Sequence, residues 1–220
     1  MKLSIIGFVT VLGIVSSGCH GMHMHMGSGT PGSGKVVTED RKVSGFTRIR
    51  HEGAGEVSVT AGKDFSTKLT IDDNLAKFVK TEVDGDTLVI KNSKDINPTE
   101  FKVAITLPNL AAYKIDGAGD VKISGVDSDS LEAEIDGAGN IVIAGVAKSA
   151  TLSIDGAGAI EANDLKTETA KASIDGAGSI KVSPTELLDA KVDGAGSVQY
   201  KSKPKSIKQK VDGIGSIDKE

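Results

Sequence analysis

Aliphatic residues recur at fixed distances from a four-residue polar motif through the second half of the chain. Asp-Gly-Ala-Gly begins at Asp116, Asp136, Asp155, Asp175 and Asp193, and Asp-Gly-Ile-Gly begins at Asp212. The spacings are 20, 19, 20, 18 and 19 residues. An aliphatic residue precedes each aspartate: Ile115, Ile135, Ile154, Ile174, Val192 and Val211. Another stands five residues after it: Val121, Ile141, Ile160, Ile180, Val198 and Ile217. A third follows two residues later as Ile123, Ile143, Ala162 and Val182. Alternation by two is a strand signal. A unit of 18–20 residues holding two or three short strands cannot bury its apolar face alone, so successive units must stack. The pattern predicts an all-β fold, a parallel β-helix (solenoid) with one repeat per turn. The wandering period and the lack of a hexapeptide repeat favour the right-handed form. A β-propeller would need blades of roughly 40 residues, hence alternating kinds of repeat, and the copies do not alternate.

The first part of the body, residues 35–112, is less regular than the repeats of 113–220. Glu52-Gly53-Ala54-Gly55 is a related turn, and Val83-Asp84-Gly85-Asp86 reads as a decayed copy. Val57, Val59, Leu69, Ile71, Val83, Leu88, Ile90, Val103, Ile105 and Leu107 mark strands of period two. Asn74 to Lys80 reads as one helical turn or a corner, and Pro98 and Pro108 punctuate the segment. Phe46, Phe65, Phe78 and Phe101 all fall here, which points to wider turns that cap the N-terminal end of the solenoid. At the other end, Lys201, Lys203, Lys205, Lys208, Lys210 and Lys219 crowd the last repeat. A charged end discourages edge-to-edge association of an open β-helix.

Ahead of the body stands a different pattern. Lys2 is followed by an apolar run of 13 residues, Leu3 to Val15, which is short for a membrane-spanning helix. Ser16, Ser17, Gly18 and Cys19 follow. Residues 1–18 thus read as a signal peptide. The Ser-Ser-Gly-Cys ending resembles a bacterial lipobox, although Ser16 stands where Leu or Val is usual. The resemblance makes Cys19 the lipidated first mature residue and implies an outer-membrane lipoprotein of the cell envelope, because His20, not Asp, follows. Residues 19–34, rich in Gly and Ser, read as a flexible tether.

Composition narrows the picture further. The chain has 220 residues, 27 glycines, no Trp, two Tyr and five Phe. So few rings demand a narrow core of Val, Ile, Leu and Ala, as in a thin solenoid. The net charge of -4, with both signs interspersed, gives no electrostatic case for nucleic acid. The single cysteine excludes an intrachain disulfide.

The body resembles a known bacterial family, "putative auto-transporter adhesin, head GIN domain", over about residues 43–217. The carriers are Val43-Ser44-Gly45-Phe46, the segment from Thr81 to Leu88, the strand Val103 to Pro108, and the repeated Gly-Ala-Gly turns. The resemblance implies a right-handed β-helix exported to the envelope, often as a lipoprotein, and its name suggests adhesion. It brings no catalytic residues.

Two constellations carry candidate chemistry. In register, Asp116, Asp136, Asp155, Asp175, Asp193 and Asp212 would form a ladder about 4.8 Å apart. Glycine relieves the steric penalty of positive φ at a sharp corner, alanine fits where the corner crowds the core, and the aspartate closes an Asx-type turn onto backbone N–H groups. Stacked carboxylates repel by about 1 kcal/mol per pair even in water. Backbone donors, the upstream Lys114, Lys191 and Lys210, or bound cations must offset this. Turn capping is the plain reading of the ladder; a calcium site and a catalytic carboxylate pair of a polysaccharide-acting enzyme are the alternatives. The second constellation is Met22-His23-Met24-His25-Met26 in the tether, whose thioethers and imidazoles suit Cu(I). His51 stands alone as a surface or strand residue. No nucleophile and base are paired by sequence, the Gly-X-Gly turns lack the following helix of a dinucleotide site, and no cofactor is implied. The expected role is non-catalytic. The expected partners are the membrane, through the lipid, and an envelope or host-surface protein or glycan.

Overall fold

A computed structural model describes residues 29–220. Their strands wind into stacked parallel coils, a β-solenoid of about five turns. Three coils are single bent strands: Ala118–Ile135, Ala138–Ile154 and Ala157–Ile174. The next coil is split into Ala177–Val182 and Pro184–Val192, and the last into Ala195–Tyr200 and Ser206–Val211, with Ile214–Lys219 ending the chain. Each pairs in parallel with its successor.

The sequence pattern becomes columns inside this stack. Ile115, Ile135, Ile154, Ile174 and Val192 form one buried column, and Val121, Ile141, Ile160, Ile180 and Val198 another. Each aliphatic so buried contributes roughly 1.5–3 kcal/mol, which no coil could gain alone. The uneven repeat lengths have a local cause. Coils in register at a spacing of 20 slip to 19 at a bulge between Ile123 and Val126, and back to 20 between Val142 and Ala144. The motif and the aliphatic columns stay aligned because the irregularity is confined to that corner.

The N-terminal end departs from parallel stacking. Ala54–Ala61 pairs in parallel with the first long coil, Ala54 against Ala118, so the Glu52 motif is a true turn of the solenoid. Beyond it, Phe101–Leu107 pairs in parallel with Ala54–Ala61, but Ser66–Asp72 and then Val36–Asp40 add antiparallel. On the neighbouring face, Arg48–His51 lies between Ala112–Ile115 and Thr87–Asn92, and the latter pairs antiparallel with Val79–Asp84. These reversals end the repeat and leave the polar strand Val36–Asp40 at the edge, which resists further strand addition. The Val83–Asp86 segment is therefore a hairpin turn, with Asp84 opposite Thr87 and Gly85 at φ 61°, not a decayed solenoid corner. Ala76–Phe78 forms one 3-10 turn within the Asn74–Lys80 segment.

Residues 29–34, expected in the tether, belong to the body. Thr30–Pro31 pairs in parallel with Ile96–Asn97. The Gly34 N–H donates to the buried carboxylate of Asp72 at 2.7 Å, and the Thr99 N–H and hydroxyl donate to it at 2.7 and 2.9 Å. Burial pushes the Asp72 carboxyl up, but these donors outweigh it and hold the group below the ordinary carboxylate value. At the opposite end no described strand stacks on the outer side of Ile214–Lys219, and Ser206–Val211 is exposed along its whole length.

Candidate functional site

The motif turns stack by backbone contact. The Asp136 N–H donates to the Ile115 carbonyl at 2.8 Å and the Ala138 N–H to Gly117 at 2.9 Å, and the same pair of bonds recurs in each later turn. This stacking corrects two expectations about the motif. The first glycine does not need positive φ, since none of Gly117, Gly137, Gly156, Gly176 or Gly194 adopts it. What forbids a side chain there is the coil below: a Cβ on these residues would lie 2.8–3.0 Å from a backbone carbonyl carbon of that coil, and nearer still to an oxygen. The second glycine is the one at unusual φ, 153° at Gly139 and Gly158. The alanine does not fit a crowded corner either. Ala118, Ala138, Ala157, Ala177 and Ala195 all point outward and are exposed, in register with one another.

The six aspartates do stand in a ladder, one per turn, but not as Asx caps. Among the described residues no backbone N–H donates to their carboxylates. Lysines offset the repulsion instead. Lys114 Nζ lies 3.2 Å from Asp116, 2.9 Å from Glu134 and 3.1 Å from Asp136. Its hydrogen bond to Glu134, with those to the two aspartates, raises its pKa well above the ordinary lysine value against the opposing effect of burial. Lys191 pairs with Asp193 and holds that carboxyl below its usual value, and Lys210 pairs with Asp212. At Asp155 and Asp175 the residue two before is Ser153 and Ser173, and among the described residues no cation pairs with either carboxylate. No group of three His, Cys, Asp or Glu side chains among the described residues is placed to hold a metal ion. Cys19 and Met22 to Met26 lie outside the described residues.

The site that sequence reasoning missed is at the other end of the ladder. His51 is fully buried, not at the surface, and it occupies the interior column between Ile90 and Ile115. Among the described residues neither ring nitrogen has a partner, and the buried Oδ1 of Asn92 has none. Burial alone lowers the His51 pKa to about 4, so the ring is neutral at ordinary pH. An unpaired buried polar group costs about 1–3 kcal/mol, which an isoleucine in this column would avoid. A cleft of about 690 Å³ is bordered by Gly53, Asn92 and Asp95, and His51 does not line it. The signal was in the sequence, since His51 holds the place before the motif where every later copy has an aliphatic residue. A single histidine beside six aliphatic residues was too small a departure to show that it faces inward.

The fold and these sites define a β-solenoid with a repeated outward-facing turn ladder and a cleft where the stack of turns begins. The chain belongs to the family described as "Putative auto-transporter adhesin, head GIN domain", whose model matches residues 45–204. A crystal structure described as a "putative adhesin" from Bacteroides fragilis is 29% identical, with a TM-score of 0.74 over 87% of this chain and 100% of that one. A "putative adhesin" from Parabacteroides merdae is 20% identical, with a TM-score of 0.54 over 87% and 99%, and shares the fold. A "putative lipid binding protein" from Parabacteroides distasonis is 25% identical, with a TM-score of 0.50 over 86% and 98%. No curated protein matches the chain. The family and these neighbours carry adhesin names rather than enzyme names, apart from the one lipid-binding name.

Proposed function

We propose that this protein is an exported, lipid-anchored adhesin of the bacterial envelope that binds without catalysis. The membership of residues 45–204 in the adhesin head family carries this reading. The lateral face supports it. Ala118, Ala138, Ala157, Ala177 and Ala195, with the aspartates two residues before them, repeat at the strand spacing of about 4.8 Å. They form a flat face with few long side chains to order on contact, which keeps the entropic cost of binding low. The leader and Cys19 supply export and the lipid, and residues 20–28 set the distance from the membrane.

The test is binding of the purified body, residues 29–220, to a glycan array and to envelope extracts of the producing bacterium. Saturable binding to either supports the adhesive role, and binding to neither removes it. For the anchor, Cys19→Ser is expected to move the protein from the detergent phase to the aqueous phase. A variant still partitioning with membranes removes the lipid reading.

A further inference from the structure

The two ends of the solenoid are finished differently. At the N-terminal end Ser66–Asp72 and Val36–Asp40 add antiparallel and close the stack. At the C-terminal end Ser206–Val211 pairs only with Pro184–Val192, and Ile214–Lys219 only with Ala195–Tyr200, among the described strands. The outer edge of each therefore carries a row of backbone N–H and C=O groups that no described strand pairs. The Asp212 N–H donates to the Val192 carbonyl at 2.9 Å, and the alternation of peptide groups along a strand turns the N–H groups of Val211 and Gln209 to the open edge. The aliphatic columns run out at the same edge. Ile207 and Val211 are in register with Leu188 and Val192, which are fully buried, yet they are 40% and 42% exposed.

Charge decides what can add there. Residues 201–220 carry six lysines against three acidic residues, in a chain whose net charge is -4. Lys205 pairs with Glu186 at 2.8 Å and Lys210 pairs with Asp212. Lys201, Lys203, Lys208 and Lys219 are exposed and have no ion pair among the described residues. On the outer face of the sheet the row Lys171, Asp189, Lys208 alternates in sign from coil to coil, and the rung that continues it is an acid. A second copy would instead bring the same lysines to the same edge, and like charges facing each other across a strand pair are destabilising. An extended segment that alternates aliphatic and acidic residues fits on every count. Its backbone pairs the edge, its aliphatic side chains cover Ile207 and Val211, and its carboxylates meet the lysines. Strand addition of this kind takes affinity from main-chain hydrogen bonds and specificity from alternate side chains.

We propose that the open edge of Ser206–Val211 is a strand-addition site for an acidic extended segment of a partner protein, whose carboxylates continue the row above Lys208 and whose aliphatic residues cover Ile207 and Val211. The site lies at the end of the solenoid and stands apart from the adhesive reading, which the family and the lateral face carry. Two variants separate its parts. Gln209→Pro removes an N–H from the open edge and leaves the bonds to Pro184–Val192 in place, since proline is tolerated on an edge strand whose N–H faces solvent. Lys203→Glu combined with Lys208→Glu reverses the charge and leaves the backbone edge intact.

The experiment titrates the full mature chain into a fluorescently labelled synthetic peptide in which Glu alternates with Val and Ile. One comparison peptide has the same composition with the Glu and the aliphatic residues grouped apart, and another has Lys in place of every Glu. Anisotropy reads the affinity, and hydrogen exchange reads the amides of Gln209 and Val211. The alternating acidic peptide is expected to bind saturably, to protect the amides of Gln209 and Val211, and to bind more weakly as salt is raised. Both comparison peptides, and both variants with the acidic peptide, are expected to bind about tenfold or more weakly, the loss of one or two hydrogen bonds or ion pairs. The charge-reversed variant should melt with the parent. The proposal is overturned if the grouped peptide binds as tightly as the alternating one, if the two amides exchange as fast with peptide bound as without, or if the charge-reversed variant binds as the parent does. A dimer of the parent in sedimentation that Gln209→Pro disperses would assign the edge to a second copy and overturn it as well. If no peptide binds, this site falls, and the adhesive reading is decided by its own glycan and extract test.

Discussion

Gly156→Ala tests the account of the turn stack most directly. In the native turn the Ala157 N–H donates to the Gly137 carbonyl at 2.9 Å, and the Asp155 N–H to Ile135 at 2.9 Å. A Cβ on residue 156 would stand 2.8 Å from the Gly137 carbonyl carbon, whereas carbon atoms in good contact are about 3.5–4.0 Å apart. Relief of this contact alone requires the two coils to part by roughly 0.7 Å at this corner, and the Gly137 oxygen, nearer still, demands more, so the adjacent hydrogen bond stretches past about 3.6 Å and beyond useful range. The loss of that bond is about 1 kcal/mol, and overpacking strain adds about 1–3 kcal/mol. Together they destabilise the solenoid by about 3 kcal/mol, and a domain of this size should melt roughly 6–12 °C lower. The assay is thermal and urea unfolding followed by far-UV circular dichroism. Gly53→Ala is the internal control, since it makes the same chemical change in the same motif, where only ordinary contacts await the methyl group. A Gly156→Ala variant that melts with the parent and with Gly53→Ala would refute carbonyl crowding as the reason for the glycine.

Further expectations follow from the buried histidine, the charge ladder and the tether. His51 titrates near its ordinary pKa of about 6.5 when unfolded and at about 4 when folded, so its burial makes stability fall as pH drops from about 6.5 towards 4. The loss at about pH 5 is roughly 2 kcal/mol, and His51→Ile should flatten this part of the pH profile of urea midpoints; an unchanged profile would mean the acid sensitivity comes from elsewhere. Lys114→Met leaves Asp116, Glu134 and Asp136 without their shared cation, at partly exposed positions where ion pairs contribute up to about 1 kcal/mol. The midpoint should drop by that order and recover in high salt, and a salt-independent loss would point to packing of the lysine stem. Replacing Met22 to Met26 by Gly and Ser should abolish Cu(I) binding by the full mature chain while leaving melting unchanged; no copper affinity in the parent removes the metal reading of the tether.

Much of the fold was legible because it repeats. One copy of Asp-Gly-Ala-Gly with its aliphatic flanks says little, but five in series, followed by Asp-Gly-Ile-Gly, specify which residues face inward and that coils stack. The buried columns through Ile115 and Val121 are those the spacing predicts. The N-terminal cap was legible only as strands, because its antiparallel partners are non-local: Val36–Asp40 finds Ser66–Asp72, and Ser66–Asp72 finds Phe101–Leu107. Nothing in those segments' own periodicity distinguishes a parallel partner from an antiparallel one. The corner at Val83–Asp86 shows the same limit, since a Gly after Asp serves a hairpin as well as a solenoid turn.

By itself the sequence determined the repeat, the inward columns, the solenoid class, the aspartate ladder and the resemblance to the adhesin head family. These are properties of period and composition, which every coil restates. Tertiary structure alone decided the roles inside the motif. The first glycine is required by a carbonyl in another coil, the alanine faces outward, and lysines of the same or the preceding coil offset four of the six aspartates. It alone also showed that residues 29–34 dock on the body, through Ile96–Asn97 and Asp72, and that His51 is buried without a partner among the described residues, close to Asn92. Each of these depends on which coil lies next to which. That is set by where the stack of turns begins, and residues 41 positions apart in the chain become neighbours only there.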